Sequence, residues 1–188
     1  MYLRLQNGNN MKAKIFLVIA SLFAVFPLNA QTNNFSVTED GKLIWQKVYD
    51  TESSYDEIYN LIVNNGSFSD ILDNDGVITC SVKQTPVDFK SMGYSRGSVA
   101  IYVSTYDFTG FATIQVKDGR YRVTVENIVM ICNTDGLSKV GEESTLETWA
   151  VRDGKLTGAF SKTPSDIYNR FLTDKFTMKA KSYLDNEW

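Results

Sequence analysis

The side chains best suited to holding a ligand cluster around one turn, in VKDGRYRVTVENIVMI (residues 116–131). Asp118-Gly119 is the dipeptide of a two-residue hairpin turn. About that turn Val116 faces Tyr121, Ile114 faces Val123 and Ala112 faces Val125, which makes one face apolar. The other face gathers Lys117 with Arg120, Gln115 with Arg122, and Thr113 with Thr124. The pattern changes phase near Glu126 and Asn127, which predicts a bulge. Fork-shaped guanidinium donors beside aromatic rings suit sugars, acidic glycans or an extended peptide. Tyr102 and Tyr106 join this face if the preceding segment is a strand in the matching phase, and Phe111 lies on it as well. A plainer reading also accounts for the pattern: a sheet buried on one side shows Lys, Arg, Thr and Gln to water on the other.

Other chemistries fare worse. The sequence contains no histidine, which removes Ser-His and Cys-His nucleophiles and His-bearing zinc sites. Two cysteines cannot make a structural zinc centre. The acidic stretch DILDNDG fails as a calcium loop, because Ile71 falls at the first ligand position and Val82 where a bidentate glutamate is needed. Ser81-x-Lys83 puts both side chains on one strand face, a spacing that a polar strand explains. Glu126, Glu142 and Glu143 could supply a carboxylate pair for glycoside hydrolysis, but nothing in the spacing brings two of them across a cleft. No glycine loop cradles phosphate. No cofactor, metal or catalytic residue is therefore expected.

Ahead of these residues stands a leader. Lys12 and Lys14 precede an apolar run over residues 15–26, then Pro27 and a small-residue region ending at Ala30. That is the pattern of a secretory signal peptide cleaved between Ala30 and Gln31. The run falls short of the ~20 residues of a membrane span, and no cysteine follows it for lipid attachment. Residues 1–10 read as an upstream extension, with Met11 the more natural start. Cleavage removes Arg4, Lys12 and Lys14 but no acid, so the net charge moves from −3 to −6. An exported acidic chain is unsuited to nucleic acid, and the expected location is the periplasm or the exterior. In that oxidising setting Cys80 and Cys132 could form one disulfide, or could serve as two small buried hydrophobes.

The elements that must position these residues follow the leader. Residues 31–42 form a polar lead, and residues 43–188 a single α+β domain. LIWQKVYD reads as a strand. TESSYDEIYNLIVNNG switches to a helix, with a Ser54/Glu57 capping box and an apolar stripe of Tyr55, Ile58, Tyr59 and Ile62. DNDGVITCSVKQ is a turn and a strand, TPVDFKSMGYSRG a loop, and SVAIYVSTYDF a further strand. After the hairpin, Asp153-Gly154 marks a short second one. A closing helix starts with Thr163 as cap and Pro164 at its first position. Its stripe is Ile167, Tyr168, Phe171, Leu172, Phe176 and Tyr183, with Lys175, Lys179 and Lys181 toward its C-terminal end. An antiparallel sheet with both helices on one face buries these stripes and leaves the arginine face open.

The capped helix with DEIYN and the KDGRYR hairpin resemble a domain-of-unknown-function family with a TATA-binding-protein-like fold, frequent in exported proteins of Bacteroidetes. The resemblance spans about residues 43–131. It implies a strand-helix-strands-helix order with a curved sheet, and it brings no activity or catalytic residue. The expected function is an exported, non-enzymatic binding or interaction module of the bacterial envelope. Its ligand would be a glycan or peptide on the open face, or another envelope protein. A carboxylate-based hydrolase of low motif content and a structural envelope component are the alternatives.

Overall fold

The computed structural model describes residues 33–135 and 138–178. The leader and its cleavage point lie outside these, as do Lys179, Lys181 and Tyr183. The described strands are β1 (Phe35–Val37), β2 (Leu43–Asp50), β3 (Phe68–Asn74), β4 (Val77–Pro86), β5 (Tyr106–Lys117), β6 (Arg120–Cys132), β7 (Glu143–Thr145), β8 (Val151–Arg152) and β9 (Lys155–Leu156). The described helices are α1 (Tyr55–Val63), α2 (Ile101–Thr105), α3 (Glu147–Ala150) and α4 (Thr163–Phe176). The main sheet is antiparallel in the order β1-β2-β6-β5-β4-β3, with β7 paired to the far half of β6. The fold is α+β, with α1 and α4 packed on one face of that sheet.

The β5–β6 hairpin has the register its alternation predicts, from Lys117↔Arg120 through Ala112↔Val125. Asp118 and Gly119 both take positive φ, the backbone a two-residue turn needs to match strand twist. The phase change is a bulge: pairing slips between Thr109 and Phe111, and Asn127 opposite has φ 50°. Gly110 lies inside this bulge, where an added Cβ would stand 3.2 Å from Val125 Cγ1. Gly110→Ala should therefore destabilise the fold by about 1 kcal/mol through overpacking, read from urea unfolding.

Aromatic side chains weld α4 to the sheet. Ile167, Tyr168, Leu172 and Phe176 are fully buried. Phe176 stacks on Phe68 of β3 at 5.0 Å and on Trp45 of β2 at 6.2 Å. A flat sheet would hold those two strands about 19 Å apart, four strand spacings. One ring can meet both only because the sheet curls around the helix. Trp45 Nε1 also donates to Asn169 Oδ1 (3.0 Å), which accepts Asn34 Nδ2 as well (2.7 Å). At the helix end, Tyr121 Oη donates to the Phe176 carbonyl and accepts the Met178 N–H. The chain after Asn133 thus shares the core of the first half.

Four local expectations change. The polar lead supplies β1, whose Phe35 is buried against Phe160. Residues before Asp75-Gly76 form β3, so this turn closes a second long hairpin. Asp70 and Asp73 obscure the alternation there, and charges on an edge strand also discourage pairing with other chains. Residues 101–105 are a helical turn and not a strand. A strand turns alternate residues inward, yet Tyr102 and Val103 are adjacent and both buried. The cap of α4 is Lys162, one residue before Thr163. The Ser54/Glu57 capping box of α1 is as expected, with Ser54 N–H donating to Glu57 Oε2 at 2.7 Å.

Burial holds the phenols of Tyr102, Tyr121 and Tyr168 above their ordinary value of 10, with Tyr102 pushed up to about 12. Raised folded-state values mean that the native state keeps these protons longer than the unfolded chain does. Stability is therefore full below pH 10 and is lost as pH rises through the folded values. A series of melting temperatures against pH should fall above about pH 10, together with cooperative phenolate absorbance.

Candidate functional site: the open face of the sheet

The face of β2, β6, β5 and β4 opposite the helices can be read row by row from strand pairing. At the hairpin end stand Asp50, Arg120 and Lys117, all exposed. The next row runs Val48, Arg122, Gln115 and Val77, and the next Gln46, Thr124, Thr113 and Thr79. The register brings Lys117, Arg120, Arg122 and Gln115 together as the sequence predicts.

Arg122 donates through Nε and Nη2 to Gln115 Oε1, which holds the guanidinium across to the neighbouring strand instead of leaving it to sweep through solvent. Gln46 Nε2 donates to Thr124 Oγ1 at 2.9 Å, ordering the neighbouring row. Val48 is 53 % exposed beside Arg122. It is an apolar contact that strand alternation could have marked from the sequence. The row is thus a fixed planar cation between an apolar side chain and an amide, an arrangement suited to a flat anionic group.

Tyr102 and Tyr106 do not belong to this face. Both are buried: Tyr102 stacks on Trp149 at 5.0 Å, Tyr106 meets the same ring edge-on at 5.3 Å, and Tyr106 Oη donates to Ser138. The helical turn of α2 carries Tyr102 to the core side, and Tyr106 begins β5 with its ring inward. Trp149, which holds both rings, carries no signal in the sequence that would link it to them.

The cysteines stay apart as free thiols. Cys80 lies opposite Ala112 and Cys132 opposite Tyr106, on the two sides of β5. Six residues of strand separate those positions, about 20 Å, whereas a disulfide needs Cα atoms within about 7 Å. Burial pushes the Cys80 thiol up to about 12, so it remains protonated and unreactive. A thiol assay on the unfolded, unreduced protein should count two thiols, and Cys80 should resist alkylation while the protein is folded.

The carboxylates considered for hydrolysis are also placed. Glu142 accepts the Lys139 N–H in a turn, while Glu126 pairs with Phe111 and Glu143 with Ile131. Along β6 the latter two positions are about 15 Å apart, and they lie along one sheet instead of facing across a cleft. No hydrogen bond joins Ser81 to Lys83 among the described residues.

No protein-family model matches the chain, and no curated protein does. Among solved structures it is similar to a TBP-like protein from Parabacteroides distasonis, at 18% identity and a TM-score of 0.48, over 74% of this chain and 90% of that one. It is also similar to a DUF4468 family protein from Bacteroides ovatus, at 18% identity and a TM-score of 0.45, over 77% and 92%. Both come from Bacteroidetes, and the first is of the TBP-like kind that the sequence resemblance named.

Proposed function

We propose that this chain is an exported, non-enzymatic binding module whose open sheet face holds an anionic glycan of the bacterial envelope. The observation that carries this reading is the row Val48–Arg122–Gln115, with Arg120 and Lys117 beside it. It groups three cations against the one carboxylate of Asp50, with a fixed guanidinium, on a chain whose net charge is −3. Cations grouped on one face give an anionic ligand a local partner that the acidic chain as a whole does not offer.

Carboxylate or sulfate groups of the glycan would take the guanidinium groups of Arg122 and Arg120 and the point charge of Lys117. The apolar edge of a sugar ring would rest on Val48. The test is calorimetric titration of the purified protein with polygalacturonate, with neutral dextran and poly-glutamate as comparisons. Binding of polygalacturonate that weakens with salt supports the reading. Equal binding of dextran, or binding of poly-glutamate alone, overturns it.

A further inference from the structure

A second feature lies at the other end of β5 and β6, away from the arginine hairpin. A cavity of about 250 Å³ opens there between α2 and the chain that leaves β6. Ile101, Tyr106 and Cys132 give it an apolar wall. Arg96 and Asp135 bring one charge of each sign to its lining, both on exposed residues. No ion pair links these two, and neither makes a side-chain hydrogen bond among the described residues.

A sphere of that volume is about 8 Å across. Two residues of opposite charge on one small lining, joined by no ion pair, suit a ligand that carries both charges itself. The volume favours a ligand smaller than a disaccharide and falls below the ~300 Å³ where drug-sized pockets begin. An apolar wall with a cation and an anion at the rim fits one chemistry well: an ammonium and a carboxylate on a single carbon, with a hydrocarbon side chain.

We propose that this cavity is a binding site for a free α-amino acid with an apolar side chain. Arg96 takes the carboxylate by its fork of donors. Asp135 takes the ammonium, and the side chain lies against Ile101 and Tyr106. The site is independent of the open face and of any glycan bound there.

The test is a thermal-shift titration with L-leucine, repeated with N-acetyl-L-leucine and with L-leucinamide. These two analogues lack the ammonium and the free carboxylate respectively. The expected result is saturable stabilisation by L-leucine at about millimolar concentration, with each analogue weaker by about tenfold or more. Arg96→Ala and Asp135→Asn should each weaken the response by a similar factor, while Arg122→Ala keeps it. Both cavity substitutions fall on exposed residues, so the melting temperature without ligand should barely move and serves as the folding control. Absence of a saturable response up to about 10 mM, or an equal response to N-acetyl-L-leucine, would overturn the assignment.

Discussion

Phe176→Ala is expected to lower the unfolding free energy by about 3–5 kcal/mol, the range for truncating a fully buried aromatic ring. The ring is fully buried and stacks on Trp45 and on Phe68, which belong to strands four places apart in the sheet. Its removal leaves a cavity and takes away the contact around which the sheet curls. The Phe176 carbonyl also accepts the Tyr121 hydroxyl, so a shift of the helix end would disturb that bond as well. For a chain of this size the loss corresponds to a fall in melting temperature of about 10 °C. Phe176→Leu keeps most of the volume and should recover more than half of it. A loss below about 1 kcal/mol for the alanine variant would mean that α4 does not hold the curvature.

Arg122→Ala should weaken binding of an anionic glycan by about ten- to a hundredfold, the range for a hydrogen-bonded charged contact of 1.5–3 kcal/mol. Arg120→Ala should weaken it less, because its side chain is exposed and opposite Asp50, where screening is strong. The cost to folding should stay near 0.5 kcal/mol for Arg120. Arg122→Ala also strands the Gln115 oxygen on a half-buried row, so it should cost somewhat more. Arg122→Lys separates shape from charge. It retains the cation but loses the planar fork that Gln115 orients, and should recover only part of the affinity. Calorimetric titration of the three variants reads all of these.

The parts of the fold that are legible in the sequence are those set by local rules. The β5–β6 register follows from a two-residue turn and strict alternation, so the residue types alone pair Gln115 with Arg122. The α1 cap follows from Ser54 and Glu57 alone. The parts that stay hidden depend on distant partners. Tyr102 looks like a strand residue because Ile101, Val103 and Thr105 are β-branched. Trp149, more than forty positions later, gives the ring a reason to turn inward on a single helical turn. β3 is hidden because its edge position permits Asp70 and Asp73, which break the hydrophobic signal. Val48 is within reach of sequence reasoning, since it alternates with Tyr49 on a strand whose partner is β6.

The measurement that tests binding at the open face most directly is a chemical-shift titration of the isotopically labelled protein with a short oligogalacturonate. Saturable shifts are expected at Val48, Gln115, Arg120 and Arg122, with little change on the helix side. Shifts confined to other surfaces, or a response no different from that to a neutral oligosaccharide, would contradict a glycan site on this face.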